Sequence, residues 1–246
     1  MLSPPPNANE VRVLEADPDL AGALAADQIP IATQRVCART EVLAPGLWTP
    51  RFGGGRLLGL LVLEGMICRS VEMADRSSAE LLGGGDLLRP WRDDAVATTV
   101  PSESEWRVLE PTTVAILGER FARAIAPWPE LTAELLDRAI RRSRSQAAFA
   151  AISHMTRVDV RLLLAFWHFA ERWGRVTPDG VVVRLPITHE TLGTLIGARR
   201  PSVTTGLGVL ADDGLVRPLL RGEWLLTHRA AARVDTLGAR AASLAA

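Results

Sequence analysis

Residues 186–216, PITHETLGTLIGARRPSVTTGLGVLADDGLV, constrain this chain more than any other stretch. Thr188 is a good N-cap, and Leu192, Leu195 and Ile196 follow at helical spacing. Gly197 stands where a helix needs a left-handed residue to end. Pro201 suits the first turn of a second helix, where its missing N–H would be unpaired anyway. Val203, Leu207 and Leu210 give that helix a buried stripe, and Asp212-Asp213-Gly214 stops it. Two short helices around a tight turn, the second opening on arginines and hydroxyls, predict a helix-turn-helix. The alternative is an ordinary helical hairpin inside a core.

The next residues decide between them. Leu215 to Leu220 reads as a strand, Arg221-Gly222 as a turn, and Trp224-Leu225-Leu226 as a returning strand. A hairpin after the second helix makes the motif winged, with Arg221 near the wing tip and placed for a phosphate. The pattern implies DNA reading.

The series Leu185-Pro186-Ile187-Thr188-His189-Glu190, Leu192, Gly197, Arg200, Val203, Leu207, Leu210, Gly214 and Leu215 resembles the DNA-binding domain of the CRP/FNR family. The resemblance implies a dimeric bacterial transcription regulator with an N-terminal β-roll of the cyclic-nucleotide-binding type. It is specific in this stretch, and the upstream organisation is consistent with it.

Between Glu41 and Leu117 the sequence falls into short apolar runs (57–63, 66–71, 96–100, 106–109, 113–117) broken by glycines such as Gly53-Gly54-Gly55 and Gly83-Gly84-Gly85. That pattern predicts a small antiparallel β-roll, preceded over residues 11–40 by short helical pieces. After Pro127-Trp128-Pro129 the chain reads as helical, without another proline until Pro178. Leu131, Leu135, Leu136 and Ile140 open a stripe continued by Ala147, Ala151 and Met155. Leu136, Ile140, Ala147 and Ala151 are candidate dimer contacts, the alternative being that the stripe faces the chain's own roll. Val158 to Trp173 carries so many large apolar residues that it must be a mostly buried helix, and Val181 to Leu185 a short strand. The expected fold is α+β: a jelly-roll-like antiparallel β-roll (1–128), a long dimerisation helix (129–156) and a winged helix-turn-helix (157–246).

Composition fits. The hydrophobic fraction is 48% and the formal net charge zero. All 28 basic residues are arginine, the better bidentate ligand for phosphate and guanine. Residues 1–128 hold 12 arginines against 17 acids, and residues 129–246 hold 16 against 11. A basic second half suits DNA binding there. No apolar run is long enough for a membrane span, and the N-terminal MLSPPPNANEVRV lacks the order of a signal peptide. The expected location is the cytoplasm.

Within the motif, Arg200 is the candidate for bidentate bonds to guanine O6 and N7, with Arg199 beside it. Thr188 and Ser202 are placed to grip phosphates at helix starts, and Thr204 or Thr205 to touch a thymine methyl. Family members commonly carry an acid after the reading arginine and a second basic reader one turn later. Pro201 and Thr205 stand there, which implies a different recognised sequence. Gly206 and Gly208 cost a helix about 1 kcal/mol each unless close packing requires them.

For the sensor, the resemblance implies a glycine–acid pair holding a ribose hydroxyl, which Gly85-Asp86 could supply, and an arginine further on for the cyclic phosphate. Val96-Ala97-Thr98 stands in its place, and nothing in the spacing of Arg89, Arg92 or Arg107 offers a substitute. An unpaired buried phosphate is costly, so cyclic nucleotide binding is not expected. Cys37 and Cys68 are too few for the iron–sulfur cluster of the oxygen-sensing branch. No metal site or active site can be assembled: His189-Glu190 lacks a second histidine at Gly193, and no nucleophile motif occurs. The expected partners are double-stranded DNA, a second copy of the chain, RNA polymerase and an unidentified small-molecule effector. The alternative reading is a ligand-binding regulatory module whose winged helix contacts protein.

Overall fold

The computed structural model describes residues 9–50, 57–74, 76–92 and 102–244. The run 96–100, Gly53-Gly54-Gly55 and the Asp93-Asp94 pair lie outside these residues. The chain forms two units, one of Met1–Arg76 with Glu80–Ser145 and the other of Ser77–Ala79 with Gln146–Ala246. The division falls inside the long helix, whereas sequence reasoning set that helix apart as a linker.

The first unit opens with β1 (Glu10–Arg12), α1 (Val13–Ala16), a 3₁₀ turn and α2 (Ile29–Arg35). There follow β2 (Cys37–Leu43), β3 (Gly46–Leu47), β4 (Gly59–Met73), β5 (Arg76–Gly83), β6 (Leu87–Leu88) and β7 (Glu103–Leu117). These strands make a seven-stranded sheet of order β1-β2-β7-β4-β5, with β3 on β7 and β6 on β4. Its described strand pairings are antiparallel.

The runs 57–63 and 66–71 are one strand, and so are 106–109 and 113–117. The expected breaks are instead bulges in a long antiparallel pair. Its register shifts between Val62 and Glu64, Glu64 and Met66, and Met66 and Ile67. Gly65 has φ +96°, and a Cβ there would lie 2.4 Å from Thr112 Oγ1. Opposite it Pro111, which has no N–H to give a ladder, falls between the paired residues Glu110 and Thr113. Thr112 Oγ1 takes the hydrogen bond of the Met66 N–H at 3.1 Å.

The sheet is buried on both faces around Leu60, Leu61 and Val62, which is why β4 opens on an unbroken apolar run. Leu61, Ala115 and Leu117 pack with Val13, Leu14 and Leu20. Their neighbours Leu60, Val62 and Val114 pack with Trp106 and Leu82. Helix α3 (Glu119–Ile125) adds Phe121 and Ile125 to the first cluster.

Helix α4 (Pro129–Ser153) starts on the expected proline but ends before Met155. The stripe drawn along it divides into two faces. Leu131 and Leu135 are buried in the first unit's core, while Leu136 and Ile140 are 61% and 39% exposed. Ala147 and Ala151 are exposed as well.

The second unit contains α5 (Val158–Trp173), β8 (Arg175–Thr177), β9 (Gly180–Arg184), α6 (His189–Ile196), α7 (Arg200–Asp212), β10 (Val216–Pro218), β11 (Glu223–Thr227) and α8 (His228–Leu244). The strands form a sheet of order β10-β11-β9-β8. Leu162, Leu163, Phe166 and Phe169 of α5 are buried, as their density predicts, whereas Leu164 and Trp167 are half-buried. Phe166 meets Trp224 of β11 with ring centroids 4.8 Å apart. No helix among the described residues is long and apolar enough to cross a membrane.

Candidate nucleic-acid interface

Helix α6 begins as its sequence dictates. Thr188 is extended, and its Oγ1 accepts a hydrogen bond from the Thr191 N–H at 3.1 Å. The helix ends at Gly197, with φ 64° and ψ 42°. The chain then folds back so closely that a Cβ on Gly193 would lie 2.4 Å from the Ala198 carbonyl oxygen. Gly193→Ala must push that backbone away. It should cost about 1–3 kcal/mol as overpacking and weaken DNA binding, checked by urea denaturation alongside binding titration.

Helix α7 starts after Arg199, with Pro201 in its first turn. Val203, Leu207 and Leu210 are buried. Arg199, Arg200, Ser202, Thr204 and Thr205 are all exposed. None of the described ion pairs involves Arg199, Arg200 or Arg221. Thr204 and Thr205 donate hydroxyl hydrogen bonds to the carbonyls of Arg200 and Pro201, each at 3.2 Å.

The two helix glycines differ. A Cβ on Gly206 would lie 2.8 Å from Leu162 Cδ1 and 3.4 Å from the Asp159 nitrogen, so α7 crosses α5 at this point. Gly208 has open space around it, and nothing in the structure explains it.

The wing is shorter than the runs suggested. Val216 pairs with Leu226 and Pro218 with Trp224. Leu220 to Gly222 form a 3₁₀ turn with Arg221 exposed at φ 59° and ψ 34°, a left-handed position rare for a residue with a Cβ.

In the first unit, the Gly85-Asp86 pair is turned to internal use. Gly85 has φ +86°. Asp86 is 4% exposed, and its Oδ2 accepts from the Gly83 N–H at 2.9 Å. Arg138 of α4 donates to the Gly85 carbonyl at 3.3 Å and to Asp17 Oδ1 at 2.9 Å, and its Nη1 also bonds Asp17 Oδ2. Arg142 donates to Glu80 Oε2 at 3.1 Å and to the Leu87 carbonyl at 3.3 Å. Arg89 donates to the Leu57 carbonyl, and Arg107 pairs with Glu105. Leu87, Arg89, Trp106, Ala139 and Arg142 line a cleft of about 260 Å³. Cys68 is buried, and desolvation pushes its thiol up to about 11.

The sequence profile of the Crp-like helix-turn-helix domain matches residues 160–231. These residues run from α5 into α8 and include both helices and the wing.

Residues 160–231 carry a Crp-like helix-turn-helix domain.

Solved structures extend the likeness in fold to 77–85% of the chain. A cyclic nucleotide-binding domain containing protein from Listeria monocytogenes superposes with a TM-score of 0.62 at 12% identity, covering 85% of this chain and 96% of its own. FixK2 from Bradyrhizobium japonicum gives 0.58 at 15% identity, with coverage of 81% and 96%. A CooA mutant from Carboxydothermus hydrogenoformans gives 0.58 at 17% identity, with coverage of 77% and 83%. No curated protein matches by sequence. The chain thus shares the α+β fold of these proteins.

Around this Crp-like motif Arg161 matters, which sequence reasoning did not single out, and His189 makes a contact that sequence reasoning did not give it. Arg161 of α5 donates to the carbonyls of Met155, Ile196 (3.3 Å) and Gly197 (2.9 Å), serving the end of α6. His189 lies with its Nδ1 3.0 Å from Thr204 Oγ1. The only sequence signal for either is a polar residue near the start of an apolar helix.

Proposed function

We propose that this chain is a sequence-specific transcription regulator that binds a palindromic operator as a homodimer. The observation that carries this reading is the division of α7. Val203, Leu207 and Leu210 seat the helix, while Arg199, Arg200, Ser202, Thr204 and Thr205 at its N-terminal end are exposed. Such a helix enters the major groove with its N-terminal residues on base edges. Arg200 reads guanine, Arg199 and Arg221 hold phosphate, and Thr188 and Ser202 anchor the backbone at helix starts. The exposed Leu136, Ile140, Ala147 and Ala151, on one face of α4, pair two copies. Two reading helices then address half-sites about one helical turn apart.

On this reading the effector is something other than a cyclic nucleotide, since Val96-Ala97-Thr98 stands where the family's phosphate-binding arginine is expected. RNA polymerase is the further partner such a regulator would address.

Fluorescence anisotropy on a selected duplex and a scrambled one, across a salt series, tests the proposal. Tight binding to the palindrome alone, falling steeply with salt, supports it. Arg200→Ala should then cost about 1–3 kcal/mol of binding and relax specificity at one base pair per half-site. Binding to neither duplex at low salt would favour a winged helix that contacts protein.

A further inference from the structure

Thr204 is exposed on α7, one turn on from Arg200, and its hydroxyl oxygen lies within hydrogen-bond distance of two groups. It bonds the Arg200 carbonyl at 3.2 Å within its own helix and His189 Nδ1 at 3.0 Å from α6. The hydroxyl has one proton to give. When it goes to the carbonyl, Nδ1–H of His189 must donate to the oxygen; when it goes to the ring, Nδ1 accepts. Only the first arrangement, with Nδ1–H donating, ties Oγ1 to both helices, and it is the one that satisfies every partner. Thr205 and Thr194 have a hydroxyl bond only to a carbonyl four residues back among the described bonds. A threonine in a helix otherwise divides between two χ1 rotamers. At Thr204 the second anchor selects one. It withdraws the oxygen from base reading and leaves the γ-methyl as the free end of the side chain.

We propose that His189 is a positioning residue that makes Thr204 an apolar reader of a thymine methyl in the operator. This rests on the DNA-reading function proposed above and adds the chemistry of one base pair. Discrimination there comes from methyl against methyl, with no hydrogen bond from Thr204 to the base.

The full chain first selects duplexes from a random pool. Affinities are then measured with each operator thymine replaced in turn by uracil, which removes only the methyl. For the parent, one thymine per half-site should favour thymine over uracil by about fourfold, the worth of one buried methyl. Thr204→Ser, which keeps the hydroxyl and loses the methyl, should abolish that preference. His189→Ala should reduce it, His189→Asn should restore it in part, and His189→Ala should change nothing further in the Thr204→Ser background.

An undiminished thymine preference in His189→Ala overturns the positioning role. So does a uniform loss on every duplex with a shallower salt dependence, which would make His189 a phosphate contact. If the parent selects no sequence at all, the DNA-reading function falls instead.

Discussion

Asp17→Ala should lower the stability of the chain by about 3–5 kcal/mol, the cost of stranding a buried charge. Its partner Arg138 has a side chain 5% exposed, and that of Asp17 is 10% exposed. Burial alone would pull the guanidinium's pKa down, but the bonds and charges of Asp17 and Glu134 outweigh it and the pKa is raised. The Glu134 contact is longer, at 3.4 Å, and Glu134 also serves Arg141 at 2.6 Å. Asp17 is therefore the partner that matters. Urea denaturation at neutral pH gives the change. Replacing the pair together, Asp17→Ala with Arg138→Met, should recover much of the loss, because the charge that needed a partner is gone. A loss below about 1 kcal/mol in the single variant would mean that Arg138 reaches water when released.

Phe166→Ala should cost about 3–5 kcal/mol. Phe166 is fully buried, and its ring lies against Trp224 at 4.8 Å with 45° between the planes. It joins α5 to the strand that returns from the wing. Trp224 already buries an indole N–H without a partner among the described residues, so little polar compensation is available nearby. Thermal melting should show the loss, and operator affinity should fall once the unfolded fraction becomes appreciable. Phe166→Leu, which refills most of the space, should cost less than half as much. Equal losses for the two variants would show that ring geometry, and not volume, is what the site requires.

Much of the second unit was legible because its signals are local. Thr188, Gly197, Pro201 and Gly214 each act on a helix end within a few residues, and the observed ends follow them. The roll was legible only as a class. Gly65 and Pro111 look like breaks when read along the chain, yet they meet across a strand pair and share one bulge. That meeting is set by pairing between distant segments. The same holds for Arg138, whose partner Asp17 is separated from it by 121 positions. Periodicity marked Leu135 and Leu136 alike as apolar, but adjacent positions on a helix are turned by 100°, and only the packing shows which one faces inward. His189 and Thr204 were both visible as residues. Their bond depends on how tightly the turn between α6 and α7 closes.

The two faces of α4 make its length as informative as its composition. Leu131 and Leu135 fix the helix's rotation against the first unit's core, and Leu136 and Ile140 inherit that angle. A single residue inserted after Ile140 would leave each amino acid of the exposed row in place in the alphabet and move Ala147 and Ala151 a quarter-turn out of line with Leu136. Seven inserted residues, nearly two whole turns, would restore the alignment. Along this segment the chain should tolerate exchanges of side chain far better than changes of count, and related regulators should differ here in letters while agreeing in phase.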